Sequence, residues 1–156
     1  MLNFVSHYTF YSNFTLQQFM KKFFILALLP LFLWGCRIEH STIPETYVDF
    51  VVYPNSMEYA DLNYYGGYVY VTGGVNGIVI YRINEYTFVA YDRACSLDWQ
   101  EQGAWLWMDE SGLLLECTGC HSKFNIINGG VVSGDAHYPL KQYKTHYNGE
   151  RLRIYN

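Results

Sequence analysis

From residue 47 onward, apolar positions come in short runs rich in Val, Ile, Tyr and Phe, and Gly, Pro, Asn or Asp close most of them. This is the punctuation of β-structure: branched and aromatic side chains fit a pleated surface, and the closing residues supply turns. Residues 47–52 alternate in part and predict a strand, ended by Pro54-Asn55-Ser56. Residues 57–62 read as a single helical turn or a loop, with Leu62 as the core anchor. Strands follow over 68–72, 78–83 and 87–91, separated by Gly73-Gly74 and by Asn84-Glu85. Residues 92–99 form a loop. Residues 105–108 and 113–115 flank Asp109-Glu110-Ser111-Gly112 as a hairpin, and 124–127 return as a strand turned by Asn128-Gly129-Gly130. A second loop covers 133–136, and 140–145 pair with 151–155 across Asn148-Gly149. No helical period persists beyond about three turns. The fold class predicted is all-β: antiparallel sheets or a small barrel.

The N-terminal pattern is different. Met20-Lys21-Lys22 is a short positive stretch, and residues 23–34 form an apolar run of 12 residues. Such a run suits the hydrophobic region of a secretory signal and is too short to span a membrane. It ends in Leu33-Trp34-Gly35-Cys36, which resembles the bacterial lipobox. That resemblance implies a lipoprotein signal peptide over 20–35, a lipid on Cys36 and a lipid-anchored tether over 36–46. The expected location is the bacterial cell envelope, facing the periplasm or exposed on the outer membrane. Residues 1–19 do not fit a signal that begins at its positive charges, so translation is expected to start at Met20.

Composition adds two constraints. With 51% hydrophobic residues, 16 Tyr and 10 Phe, the 156-residue chain can bury one core beside a targeting segment. The net charge of −4, without a basic block, excludes nucleic acid as a natural partner. Loss of Lys21 and Lys22 leaves eight basic residues against 14 acids, a charge of −6, so the lipid rather than a basic patch is the expected membrane attachment.

The chemistry gathers at Cys117-Thr118-Gly119-Cys120-His121-Ser122, with a further thiol at Cys95. In an exported chain these three cysteines allow at most one internal disulfide and leave one thiol over. Three chemistries compete. Cys95, Cys117 and Cys120 offer three thiolates to iron or another metal, with His121, Asp98 or Ser96 as a fourth ligand. For zinc, Cys95, Cys117, Cys120 and His121 make a Cys₃His set, although only one Cys-x-x-Cys knuckle is visible and Cys120 and His121 are adjacent. The run Cys117 to His121 also spells the covalent haem c pattern, but it lies between strands rather than at a helix start. Alternatively the thiols are structural, with Cys95 pairing with Cys117 or Cys120. His40, His137 and His146 fall in polar turns or tethers, and Trp99, Trp105 and Trp107 read as packing residues.

Residues 88–95, then Cys117, Ser122 and Phe124, then Gly134-Asp135-Ala136, and finally Pro139-Leu140, Tyr143, Gly149 and Leu152 follow the order of a Rieske [2Fe–2S] domain. The stretch 47–156 resembles that family, and most closely its degenerate lipoprotein variants of Bacteroidetes type, in which the histidine ligands are replaced. Cys95 and Cys117 hold the two cysteine positions; Leu97 and Cys120 stand where the histidines would be. The resemblance implies two cysteine-bearing loops meeting at one tip and an atypical iron–sulfur cluster. Function then divides between a membrane-anchored electron carrier serving an envelope partner and a cofactor-free structural or binding lipoprotein. No chain remains for a separate catalytic domain with its own iron site. With three thiolates, a cluster would lie below a two-histidine centre in potential, because added negative charge favours the oxidised state.

Overall fold

Strands β3 (Ile78–Arg82) and β4 (Phe88–Asp92) are buried along their whole length and form the spine of the domain. Their side chains alternate between two separate cores, as the two-residue period of a strand requires. Ile78, Ile80, Phe88 and Ala90 face one core with Leu62, Tyr143, Leu152 and Ile154. Val79, Tyr81, Val89 and Tyr91 face the other, with Leu106, Leu115, Phe124, Ile126, Cys95 and Cys117. The unbroken apolar runs in the sequence therefore mark strands covered on both faces. Each fully buried aliphatic side chain contributes about 1.5–3 kcal/mol to holding the layers together.

The computed structural model describes residues 43–101 and 103–156, all within one compact unit, Ser41–Asn156. The lipobox, Cys36, His40 and the segments 1–19 and 20–35 lie outside the described residues. Among the described residues no helix is long and apolar enough to cross a membrane.

The fold is all-β, with every strand pair antiparallel. Strands β1 (Asp49–Val52), β2 (Tyr68–Val71), β3, β4, β9 (Gln142–Tyr147) and β10 (Leu152–Tyr155) make a six-stranded sheet in the order β1-β10-β9-β4-β3-β2. Strands β5 (Leu106–Met108), β6 (Leu114–Cys117), β7 (Lys123–Asn125) and β8 (Val131–Ser133) make a second sheet in sequence order. A single bridge between Ala94 and Trp105 links the end of β4 to the start of the second sheet. The 3₁₀ helix Met57–Asn63 is fastened by buried Leu62 and by Arg82, whose guanidinium donates to Leu62 O at 2.9 Å.

The strands expected from sequence appear within two residues at each end. Strand β8 is an addition: on the sheet edge, two exposed valines between a pair of glycines and Ser133 make too short a run to stand out in sequence. His146 lies within β9 rather than in a turn. Residues 43–46 run against the domain: Ile43 is buried and the Lys141 ammonium donates to Pro44 O.

Candidate metal centre

Alternation along β6 sends Leu115 and Cys117 into the core and Glu116 to the surface. Cys117 thus enters the site as the last inward residue of a strand. On the other side, Cys95 comes three residues after the end of β4, and Ala94, just before it, is fixed by its bridge to Trp105. Both cysteines are fully buried. The two loops meet as the Rieske-like resemblance implies, and they bring Cys95, Asp98, Cys117 and Cys120 together. Their sulfur and carboxylate oxygen atoms all lie within 4.8 Å of one another. The thiols of Cys95 and Cys120 are 3.5 Å apart.

The backbone of each loop is turned toward its sulfur. The N–H groups of Asp98 and Leu97 lie toward Cys95 and the N–H of Ser122 toward Cys120, whose thiol donates to the Ser122 hydroxyl at 3.2 Å. Burial pushes the Cys95 and Cys120 thiols up from the ordinary range, and these polar contacts offset part of that rise. The second loop is closed by Cys117 N donating to Ser122 O and His121 N donating to Cys117 O, both at 3.0 Å. Thr118 ties it to the first loop: Thr118 N donates to Trp105 O at 3.0 Å, and the Thr118 hydroxyl donates to Gly103 O. Gly119 leaves the room that Asp98 needs. A Cβ there would stand 3.2 Å from the Asp98 carboxylate and 3.1 Å from the Ala104 methyl.

His121 is not brought into the group. It adopts φ 55°, a left-handed conformation uncommon for a side chain of its size, which turns the ring outward. Its side chain is 75% exposed, and Nδ1 lies 3.3 Å from Glu116 Oε1. Lys123 lies 3.1 Å from the same carboxylate, and these two partners, Lys123 foremost, hold Glu116 below its usual range. Cys117 is buried while the His121 ring stands in solvent, so the thiols and imidazole do not face one haem. Leu97, in the first histidine position, is exposed at 39%. The residue that completes the donor group is therefore Asp98. Ser96 is committed elsewhere, its hydroxyl donating to Tyr138 O at 2.7 Å.

Two residues outside the group shape it. Asp92, fully buried at the end of β4, accepts from Val75 N, Asn76 N, Ala94 N and the Tyr143 hydroxyl, at 2.7, 3.1, 2.9 and 2.8 Å. Arg93 lies between Tyr70 and Trp107, with its guanidinium carbon 4.1 and 4.2 Å from the ring centroids, and donates to Leu106 O. Burial lowers its pKa. Trp105 and Trp107 are thus half-exposed partners of a cation rather than core residues. An aspartate after a strand reads in sequence as a turn residue, so the role of Asp92 had no signal there.

No protein-family model and no curated protein matches the chain. Among solved structures it is similar to a chain from the complex of reduced oxygenase and oxidized ferredoxin in carbazole 1,9a-dioxygenase. The identity is 21% and the TM-score 0.42, over 58% of this chain and 82% of that one. It is also similar to the ferredoxin of carbazole 1,9a-dioxygenase from Nocardioides aromaticivorans IC177, at 13% identity and TM-score 0.42, over 59% and 86% of the two chains.

The donor set itself suits a soft, thiolate-bound metal. Three sulfurs and one carboxylate converge, two of the sulfurs are fully buried, and backbone N–H groups lie toward two of them.

Proposed function

We propose that this domain is a one-electron carrier whose redox centre is iron held by Cys95, Cys117, Cys120 and Asp98. The observation that carries the reading is the convergence of these four donors at one end of the domain, where the loop after β4 meets the loop after β6. Bound there, iron supplies a reversible one-electron change. The chain's residues do the rest. The core around Cys95 and Cys117 excludes water, and the N–H groups of Leu97 and Asp98 steady the Cys95 sulfur. Cys120, half-buried, and exposed Leu97 and His121 lie on the solvent side of the donors, where a partner could approach.

The same reading places the domain at the bacterial envelope, tethered by a lipid on Cys36, and gives it a one-electron partner there. The lipobox pattern supports the anchor. The chain takes one electron from a reduced carrier and gives it to an oxidised one. Three thiolates and a carboxylate put more negative charge on the centre than a set with two imidazoles would, which favours the oxidised state and lowers the potential.

The test is anaerobic purification of the full chain from iron-replete cells, followed by visible spectroscopy and potentiometric titration. Visible absorption that bleaches on reduction, returns on oxidation and is lost in C95S and C117S is expected. A folded, colourless, iron-free protein would instead favour the cofactor-free lipoprotein.

A further inference from the structure

Two i, i+3 donor pairs face each other across the site: Cys95-x-x-Asp98 from the first loop and Cys117-x-x-Cys120 from the second. From this we infer that the site holds a single tetrahedral metal ion, not a two-iron cluster. The inference rests on the electron-carrier reading only for the identity of the metal as iron; the number of ions rests on geometry.

The first argument is distance. Donors bound to one tetrahedral ion at roughly 2.3 Å lie about 3.8 Å from one another. Here all four donor atoms fall within 4.8 Å, and the Cys95 and Cys120 sulfurs are 3.5 Å apart. Small side-chain rotations bring such a set onto one ion. A [2Fe–2S] cluster needs something else: its two ligand pairs sit at opposite ends of a bridged pair of irons, so donors from different pairs stand well beyond one tetrahedral edge. Cys95 and Cys120, which the Rieske pattern assigns to different irons, are in near contact.

The second argument is loop form. In a metal knuckle, backbone N–H groups that follow a ligand turn back toward its sulfur. The N–H groups of Leu97 and Asp98, two and three residues after Cys95, do this. The N–H of Ser122, two residues after Cys120, does the same. Sequence inspection finds only one knuckle because it looks for a second Cys-x-x-Cys; the first loop makes its knuckle with a carboxylate as fourth donor.

The third argument is space. A Cβ at Gly119 would crowd the Asp98 carboxylate. The gap lets an aspartate from the first loop approach a donor pair from the second. His121 cannot replace it without leaving Glu116 and its outward conformation.

The deciding experiment is metal and acid-labile sulfide analysis of the anaerobically purified full chain, followed by cobalt(II) replacement in the wild type, D98A and D98C. One iron per chain without sulfide is expected. The cobalt form should show tetrahedral visible bands, with thiolate charge-transfer absorption about one-third stronger in D98C, in proportion to four thiolates against three. D98A should bind cobalt at least tenfold more weakly. Two irons and two sulfides per chain would overturn the single-ion site and leave the electron-carrier reading standing. One zinc per chain would sustain the single-ion site and end that reading. Absence of tight binding of any of the three metals would end both. D98A binding as tightly as the wild type would remove Asp98 from the donor set and overturn the facing pairs.

Discussion

The Cys95 and Cys120 sulfurs lie 3.5 Å apart, although the two residues are 25 positions apart in sequence. A disulfide needs about 2.04 Å, so the approach is already most of the way made. With metal bound, both sulfurs are committed. Without it, a thiol-specific oxidant such as diamide should join Cys95 to Cys120, whose sulfurs are in near contact, and leave Cys117 as the remaining thiol among the described cysteines. Peptide mapping after alkylation in denaturant reads the pairing. A Cys95–Cys117 bridge as the main product, or equal oxidation of loaded and stripped protein, would contradict the arrangement.

Asp92 is the hinge between the spine strand and the first loop, and four donors end on its carboxylate. D92A removes the acceptor and leaves two backbone N–H groups of the Gly74–Asn76 turn, the Ala94 N–H and the Tyr143 hydroxyl to find water or go unpaired. Each buried unpaired group costs about 1–3 kcal/mol. A loss of about 3 kcal/mol or more in urea unfolding is expected, together with weaker metal binding, since Ala94 immediately precedes Cys95. A stability change under 1 kcal/mol would show that the carboxylate is not the organiser of this corner.

Much of this was readable in the sequence, and the reasons for the remainder are physical. The apolar runs of β3 and β4 announced strands; the structure adds that both are covered on both faces and that alternation along β6 turns Leu115 and Cys117 inward. The convergence of Cys95, Cys117 and Cys120 was implied by the Rieske-like resemblance. What periodicity does not carry is the conformation of loops. His121 stood as a possible fourth ligand although it adjoins Cys120, and one left-handed residue turns it to solvent. Asp98 was one of three candidates for the fourth ligand, and only the folded backbone brings its carboxylate, rather than His121 or Ser96, to the three sulfurs. Strand β8 was hidden because its two valines form a run of only three residues with Ser133, directly after the Gly129-Gly130 turn.

Gly134 supports the site from behind. It has φ 96°, and a Cβ there would stand 2.5 Å from Ser122 Cα. The next loop residues then reach Ser122, whose hydroxyl accepts from Ala136 N at 3.1 Å and from the Cys120 thiol at 3.2 Å. G134A should cost about 2–4 kcal/mol, combining the strain of positive φ with overpacking against backbone. Because the displaced atom belongs to the Cys120 loop, metal affinity should fall along with stability. A variant on a solvent-facing turn, G149A, also has positive φ but meets no atom within 4 Å, and should lose stability without losing metal affinity. Equal loss of affinity in both would show that the Gly134 contact is not specific to the site.

Two buried tyrosines predict how the domain fails in alkali. Tyr91, donating to Ile127 O at 3.2 Å, is pushed up to about 12 by burial. Tyr143 is pushed up further by burial and by the Asp92 carboxylate it hydrogen-bonds. In the unfolded chain both ionise near about pH 10. Below that value both states keep their protons and stability is flat with respect to these groups. Above it the unfolded chain releases protons that the folded chain retains, so the native state holds more protons and stability falls as pH rises. For Tyr91 the fall runs from about 10 to about 12, at up to roughly 1.4 kcal/mol per pH unit. Urea titrations between pH 9 and 11.5 should show this decline, shallower in Y91F and in Y143F than in the wild type. Phenolate absorbance from the two buried rings should appear together with loss of the β-sheet circular dichroism. Reversible ionisation of both rings near pH 10 with the sheets intact would mean that the core around β4 admits water.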